Sequence, residues 1–215
     1  TVLSRGLGDV YKRQVFSTQA QDFSIKIKTT TPNETFTIPT LGGGYNYDVR
    51  WRDHYRDGIV TIITAFEEGF TGDATHTYPE AGEYTISVKG DFPRIFFNNT
   101  GDSNKVISIV QWGNNQWISM ENAFKGCSNL VLNASDTPDL SLVTNMTSMF
   151  EGTTNLEDLK DNIGNWNTSS IENLTSTFKS SGFNENINDW NVSNVRFMDS
   201  LFEEASNFNQ PVNNW

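Results

Sequence analysis

The sequence predicts a mainly β protein with short helices, in which an antiparallel β-sandwich is followed by an α/β solenoid of about four repeats. Two observations lead to this fold class. Residues 22–110 contain short stretches of alternating apolar and polar residues, separated by turn residues, as in antiparallel sheets with one buried face. Residues 119–215 instead restate one sequence pattern every 24–28 residues, which is typical of solenoids.

The strands of the sandwich are predicted in order along the chain. Residues 23–28 alternate apolar with polar side chains, and residues 36–38 follow a Thr-Pro-Asn-Glu turn. Three consecutive glycines precede a third strand at residues 45–51, and residues 59–64 supply a fourth, rich in Ile and Val. Short alternating segments between Gly, Pro and Asn turns indicate antiparallel pairing.

The clearest strand signal lies at residues 76–88, where a turn built on Pro79 and Gly82 precedes an alternating strand. The phrases His-Thr-Tyr and Gly-Glu-Tyr-Thr in this stretch resemble the PKD-type immunoglobulin-like module. Val49-Arg-Trp51 stands where that module has Val-x-Trp, whereas residues 52–58 replace its usual Gly-Asp-Gly. The resemblance spans about residues 22–90 and implies an immunoglobulin-like sandwich.

Two apolar segments, residues 92–97 and 106–110, are predicted to join the sandwich to the repeats. Residues 112–117, which begin and end with Trp, would lead into the first repeat, and residues 120–124 would form its short helix. Because no Gly/Ser-rich or Pro-rich linker separates the two parts, the sequence predicts a rigid junction.

The repeats are defined by regularly spaced aromatic and aliphatic residues. Four Phe residues follow one another at intervals of 26, 28 and 24 residues, and three Trp residues at intervals of 24 and 25. The repeated apolar positions are Met120, Phe124, Met146, Phe150, Ile163, Trp166, Leu174, Phe178, Ile187, Trp190, Met198, Phe202, Val212 and Trp215. Such residues are expected to stack into one core shared by neighbouring repeats. Asn145, Asn173 and Asn194 are predicted to be structural, bonding to the backbone of turns.

These repeats also carry a family resemblance. Trp190-Asn-Val-Ser-Asn-Val195, the Met-x-x-Leu-Phe-x-x-Ala of residues 198–205 and the Phe-Asn-Gln of residues 208–210 resemble the BspA-type leucine-rich repeat of bacterial surface proteins. The resemblance implies a leucine-rich-repeat-like solenoid over residues 119–215 and an extracellular or cell-surface location. Two features depart from the family pattern: residues 158–165 lengthen one copy, and Arg196-Phe197 replaces a small polar pair.

The domain organisation follows from these segments. Residues 1–14 resemble a translated sequencing-adapter tail of a metagenomic fragment and are excluded from the fold prediction. Residues 15–110 are predicted to form the PKD-like sandwich with its connecting strands. Residues 111–215 are predicted to form the BspA-type solenoid, truncated at the C-terminus because Trp215 stops within a repeat.

Composition excludes several function classes. The net charge of −11 and the isoelectric point near 4.5 disfavour nucleic acid as a partner, since its phosphates would be repelled. No apolar run reaches the length of a membrane span. Cys127, the single cysteine, excludes an intrachain disulfide and a cysteine-based zinc site, and is predicted to be a small core residue.

Catalysis has little support in the sequence. His54 and His76 are the only histidines, and no nucleophile motif, phosphate loop or metal-spaced histidine pair accompanies them. His76 is predicted to form a structural hydrogen bond within its turn. His54 lies among Asp53, Tyr55 and Asp57 in a charged loop that we expect to be exposed. A calcium site at Asp53 to Asp57 is the remaining alternative; no other cofactor is expected.

The resulting expectation is a noncatalytic bacterial surface or secreted protein that binds an extracellular protein or glycan, as in adhesion. Tyr45, Tyr47, Tyr55 and Arg196 are candidate contacts, and the sequence leaves the ligand and the oligomeric state open. One alternative is an architectural spacer or self-associating component of an envelope or virion fibre. Another is an accessory module of a larger extracellular enzyme.

Overall fold

The structure is a computed structural model that describes residues 22–56, 59–61, 65–160 and 162–215. For residues 52–56 and 59–61 it describes the backbone alone. The tail predicted at residues 1–14 lies outside these ranges. The described strands are β1 Phe23–Thr29, β2 Glu34–Ile38, β3 Asn46–Arg56, β4 Ile59–Thr61, β5 Ala65–Phe70, β6 Ala74–Tyr78, β7 Gly82–Asp91, β8 Val106–Gln111 and β9 Val131–Leu132. Two 3-10 helices span Ser103–Lys105 and Ile163–Asn165.

Seven strands form one mixed sheet in the order β4-β3-β7-β1-β8-β9, with β5 also paired to β3. Neighbouring strands are antiparallel except β8 and β9, which run parallel. Strands β2 and β6 form a separate two-stranded sheet. Strand β1 lies in the interior of the large sheet, between β7 and β8. Its alternate residues Phe23, Ile25 and Ile27 point to one face of the sheet and are fully buried.

The predicted mainly β character is confirmed, but the predicted immunoglobulin-like sandwich is not. The layer formed by β2 and β6 has only two strands, and its buried residues include Phe36 and Tyr78. The large sheet also includes β9, which lies in the region predicted to be a separate solenoid. Alternation along a strand identifies its buried face, whereas strand partners depend on contacts distant in sequence, so the alternation did not indicate which strands share a sheet.

The predicted α/β solenoid is wrong, because no α-helix is present among the described residues. Residues 120–124, predicted as a helix, instead form successive turns in which Asn122 has a φ of 55°. An α-helix requires negative φ at every residue. The same left-handed conformation occurs at Gly126 in the first copy and recurs in the later copies, at Ser148, Gly152, Ser176, Ser180, Ser200 and Glu204.

These turns are held together by a regular backbone hydrogen-bond pattern. We call residues 120–126, 146–152, 174–180 and 198–204 the first to fourth Phe segments. Alternate N–H groups of the first segment donate to carbonyl oxygens of residues 145, 147, 149 and 151 at 2.8–3.0 Å. The second and third segments donate in the same way to the third and fourth segments. The intervening N–H groups close local turns, as from Ala123 to the Met120 carbonyl at 3.1 Å.

The aromatic side chains of the Phe segments form a column. The rings of Phe124, Phe150, Phe178 and Phe202 are stacked, with centroids 5.9, 5.9 and 5.8 Å apart. Trp112 joins this column to the sheet by packing against Phe124 at 6.1 Å. The prediction of a packed core is confirmed for the first three segments, whereas Phe202 is only partly buried.

The first Phe segment is attached directly to the connection between β7 and β8. The N–H groups of Phe97 and Asn99 donate to the carbonyls of Ala123 and Lys125 at 3.2 and 2.8 Å. Arg94 Nη2 donates to the Glu121 carbonyl at 3.1 Å. The carbonyl groups of the first segment are therefore paired by residues 94–99.

The turn between β1 and β2 leads to a testable pH dependence. Glu34 Oε1 accepts hydrogen bonds from the N–H and hydroxyl groups of Thr30 and Thr31, and those from Thr30 contribute most to lowering its pKa from 4.5 to about 2. The hydrogen bonds of ionised Glu34 therefore stabilise the folded state fully above about pH 4.5, and this stabilisation is lost as the pH falls towards about 2. We expect Glu34→Gln to cost about 1 kcal/mol of unfolding free energy at neutral pH, and less as the pH falls through this range.

The measurement is urea denaturation of both proteins at several pH values between neutral and strongly acidic. Glu68→Gln is the control, since Glu68 is exposed. A difference between the wild type and Glu34→Gln that stays constant over the acidic range would contradict the assignment.

Candidate functional site

Two of the four candidate contacts predicted from the sequence lie in the core. Tyr45 and Tyr47 are buried, with 5% and 1% of their surface exposed, so their prediction as ligand contacts is wrong. The Tyr45 hydroxyl lies 3.0 Å from the Arg94 carbonyl, and burial raises the pKa of both tyrosines. Arg196 is exposed. These tyrosines alternate with polar residues because they belong to the core face of the chain around β3.

The possible calcium site predicted at Asp53 to Asp57 lies partly outside the described residues. Asp57 lies outside the described residues, and the backbone of Asp53, His54 and Tyr55 belongs to β3, with their side chains outside the description. The proposal of calcium binding there remains a sequence-based prediction.

His76 makes structural contacts within the sheet region. Its Nδ1 lies 3.3 Å from Glu67 Oε1, and its ring stacks on Trp51 with centroids 5.1 Å apart. The ring also packs edge-on against Tyr78. These contacts agree with the predicted structural role of His76, but the hydrogen bond joins β6 to β5 and does not lie within a turn.

Cys127 is fully buried next to the first Phe segment, as predicted. Burial raises the pKa of its thiol well above the ordinary value.

We expect a thiol reagent at pH 8 to modify native Cys127 at least about a thousandfold more slowly than an unfolded cysteine, because reaction requires the thiolate and local opening. Mass spectrometry after timed quenching measures this rate, and Ser128→Cys, at the half-exposed neighbouring position, is the fast-reacting control. Rapid modification of Cys127 itself would show that the first segment opens readily.

The asparagines predicted to be structural do bond to the backbone. Asn145 Oδ1 accepts from the Thr147 N–H at 2.9 Å, and Asn173 Oδ1 accepts from the Thr175 N–H at 2.8 Å. Asn194 Nδ2 donates to the Ser169 carbonyl at 2.7 Å. In the fourth segment the corresponding position is Phe197, which is 55% exposed and cannot form this turn.

The candidate site is an open groove of about 550 Å³ beside the first three Phe segments. We call it the polar groove, because most of its lining residues carry hydroxyl, amide or charged groups or are glycines. The lining residues are Asn99, Thr100, Gly101, Ser103, Asn104, Lys125, Gly126, Ser128, Glu151, Gly152 and Ser180.

One wall of the polar groove is the loop of residues 98–104, which local bonds hold in place. Asn99 has a φ of 56°, and its N–H bonds to the first Phe segment. The Thr100 hydroxyl donates to the Phe97 carbonyl at 2.9 Å. Asn129 Nδ2 donates to the Asn104 carbonyl at 2.7 Å. The loop is therefore tied at both ends, so its polar side chains are presented from a defined backbone.

The floor of the polar groove consists of the last residues of three Phe segments, Gly126, Gly152 and Ser180. All three have left-handed backbone conformations, with φ values of 77°, 73° and 53°. A Cβ atom added to Gly152 would lie 3.7 Å from Gly126 Cα, which shows how closely the segments approach here. The small side chains leave room for a ligand above this backbone, whose three N–H groups already donate to the carbonyls of residues 151, 179 and 203.

A row of alternating charges flanks this floor, since the residue after each Phe is Lys125, Glu151, Lys179 and Glu203 in order. Lys125 Nζ lies 3.0 Å from Glu151, and Lys179 Nζ lies 2.8 Å from Glu203. Burial opposes ionisation of Glu151, but hydrogen bonds from Ser148 and Lys125 outweigh it and lower its pKa below the ordinary value. Both members of each pair are therefore charged at neutral pH.

This arrangement is suited to binding a polar ligand by hydrogen bonds. The described residues that line the polar groove include no His, Cys or Tyr, and its Lys and Glu side chains already pair with each other. Within the described part of the chain, no group of three His, Cys, Asp or Glu side chains lies close enough to hold a metal ion.

Sequence reasoning did not find the polar groove. Its residues come from a loop predicted as a connection and from the positions that follow Phe124, Phe150 and Phe178 in the repeats, to which no site was assigned. The available signal was the small residue two positions after Phe124, Phe150 and Phe178, which indicates a left-handed turn and a flat surface.

Comparison with known proteins corrects the predicted family. No curated protein and no solved structure matches the chain, and no described helix has the length and apolar character of a transmembrane helix. Residues 118–215 match the model of a family described as Mycoplasma protein of unknown function, DUF285. The resemblance to BspA-type leucine-rich repeats is therefore wrong, and the C-terminal part of the chain is instead similar to the DUF285 family.

Proposed function

We propose that this protein is a noncatalytic binding protein of the cell surface or the extracellular medium, and that the polar groove binds a glycan chain. The observation that supports the proposal is the lining of the groove, which consists of Ser, Thr, Asn and Gly residues together with Lys125 and Glu151. Hydroxyl and amide groups both donate and accept hydrogen bonds, as sugar hydroxyls do. Long glycan chains occur outside the cell, which is the reason for the proposed location.

The shape of the groove favours an elongated ligand over a compact one. Its floor runs across three successive Phe segments, and it is open to solvent. The glycine positions on the floor allow a sugar ring to approach the backbone closely. Binding would then depend on several hydrogen bonds along the chain of sugars, each of modest strength.

The test is a glycan array followed by titration calorimetry of the full chain with the best ligand. Ser180→Trp fills one end of the floor and is expected to weaken binding by about tenfold or more, or about 1.4 kcal/mol. Ser193→Trp is the matched control, since Ser193 is exposed and lies outside the groove lining. Absence of binding to every glycan, or equal losses in the two variants, would refute the proposal.

The same titration tests the requirement for a cofactor. We expect removal of calcium by a chelator to leave glycan binding unchanged, because Glu151 is the one carboxylate among the described lining residues and is paired with Lys125. Loss of binding after chelation would instead assign a metal to the site.

An architectural role is the second candidate function. The observation that favours it is the exposure of Phe197 and Met198, at 55% and 42%, because neighbouring exposed apolar residues promote association. Sedimentation of the free protein over a range of concentrations distinguishes the two functions. Growth of the sedimentation coefficient with concentration supports self-association, and a constant monomer value excludes it.

A further inference from the structure

A second cleft lies next to the polar groove. It has a volume of about 570 Å³, and its described lining residues come from β1, β2, β7 and β8 and from the chain that follows the first and second Phe segments. Asn129 and Asn155 are the lining residues that follow the Phe segments. We call it the junction cleft, because the strands of the sheet region and the repeats both line it.

The polar groove and the junction cleft are continuous. Asn104 lines both of them, and its neighbours in the chain, Ser103 and Lys105, line the polar groove and the junction cleft respectively. In the same way Ser128 lines the polar groove, and the next residue, Asn129, lines the junction cleft. The two clefts therefore meet along a boundary formed by Asn104 and Asn129.

This boundary is fixed in place and carries free hydrogen-bonding groups. The Asn104 carbonyl accepts from Asn129 Nδ2 at 2.7 Å, and both residues are exposed. Within the described residues, the side-chain amide of Asn104 makes no hydrogen bond, and Asn129 Oδ1 accepts none. An amide group can both donate to and accept from a sugar hydroxyl. A ligand that passes from one cleft to the other would meet these groups.

The charges that line the two clefts balance. The charged lining residues are three lysines and three glutamates, namely Lys28, Lys105, Lys125, Glu34, Glu83 and Glu151. In the junction cleft, Lys105 Nζ lies 3.4 Å from Glu34 Oε2, and Glu83 Oε2 lies 3.7 Å from Lys26 Nζ. The chain as a whole has a net charge of −11, which repels anionic polymers. This arrangement favours an uncharged ligand.

We propose that the polar groove and the junction cleft together bind one uncharged oligosaccharide, which crosses between them over Asn104 and Asn129. This inference rests on the proposed function, and it adds a second binding site and the class of glycan. A short fragment occupies the polar groove alone. A longer chain makes further hydrogen bonds at the boundary and in the junction cleft, so the affinity increases with chain length.

The probes are neutral homo-oligosaccharides of glucose, mannose, galactose or N-acetylglucosamine, from the disaccharide to the octasaccharide, titrated into the full chain by calorimetry. In at least one series, we expect the octasaccharide to bind about tenfold or more tightly than the shortest fragment that binds. Raising the NaCl concentration from about 0.05 to about 0.5 M should change this affinity by less than about twofold, because no ion pair forms with the ligand. Oligogalacturonate, an acidic glycan, should bind at least about tenfold more weakly than the best neutral series at equal length.

Two matched variants test the junction cleft. Lys28→Trp places a large side chain in this cleft, at an exposed lysine of β1. It is expected to weaken binding of the octasaccharide by about tenfold and to leave binding of the shortest fragment unchanged. Lys89→Trp is the control, since Lys89 is an exposed lysine of β7 outside both linings, and it should change neither affinity. Ser180→Trp, in the polar groove, should weaken both.

Three results would each overturn this inference and leave the proposed function standing, provided that Ser180→Trp still weakens binding and Ser193→Trp does not. They are equal affinities for the shortest fragment and the octasaccharide, equal effects of Lys28→Trp and Lys89→Trp, and tighter binding of oligogalacturonate than of every neutral series. Absence of binding to all four neutral series also overturns it, whereas the proposed function is then decided by the full glycan array. If Lys28→Trp folds poorly, the length dependence measured on the wild-type protein decides the question alone.

Discussion

Phe150→Ala is expected to lower the free energy of unfolding by about 4 kcal/mol, the usual cost of removing a fully buried Phe side chain. Phe150 is fully buried and stacks between Phe124 and Phe178, at 5.9 Å on each side. Alanine would leave a cavity that the two neighbouring segments cannot close, because eight backbone hydrogen bonds hold the second segment at a fixed spacing from the first and third. Urea denaturation followed by tryptophan fluorescence measures the loss.

Two variants show whether the loss comes from the buried column. Phe197→Ala removes a ring that is 55% exposed and is expected to change stability by less than about 0.5 kcal/mol. Phe150→Leu retains most of the buried volume and is expected to cost about 1 to 2 kcal/mol. If Phe150→Ala cost no more than Phe197→Ala, the column would not be a major source of stability.

Gly126→Ala is expected to destabilise the protein by about 3 to 4 kcal/mol, from a left-handed backbone and a steric overlap together. Gly126 has a φ of 77°. A Cβ atom at this position would overlap Asn99 Oδ1 and lie 2.7 Å from Asn99 Cα, so the loop that forms one wall of the polar groove would have to move.

Gly152→Ala is the matched control, because Gly152 has a φ of 73° at the same position of the next segment. The atom nearest to a Cβ added at Gly152 is Gly126 Cα, at 3.7 Å, which is an ordinary van der Waals distance. This variant is expected to cost about 1 kcal/mol, for the left-handed backbone alone. Thermal unfolding of both variants measures the difference, and equal melting temperatures would show that the Asn99 contact carries no cost.

Local sequence patterns were sufficient to predict the buried residues. The alternation in residues 23–28 identified Phe23, Ile25 and Ile27 as core residues, and the spacing of the Phe residues identified the aromatic column. These predictions succeed because burial depends on periodicity within a few residues. The same spacing did not distinguish a helix from a chain of turns, because both place side chains four residues apart on one face.

The backbone conformation of the segments was the main error, and its cause is specific. Asn122, Ser148 and Ser176 adopt left-handed conformations, although Ser has no strong intrinsic preference for them. The conformation is stabilised by the N–H groups that donate to the following segment. A backbone hydrogen bond between residues about 26 positions apart therefore determines the local φ angle, and the helix propensity of a single residue does not contain that information.

The sequence by itself determined the mainly β character, the residues of the core, the structural asparagines and the buried cysteine, since each follows from side-chain chemistry at a single position or a short period. Only the tertiary structure decided the mixed sheet, the polar groove and the left-handed turns of the Phe segments. Those features arise where segments distant in the chain meet, so they depend on pairing between backbones, which carry the same donors and acceptors at almost every residue.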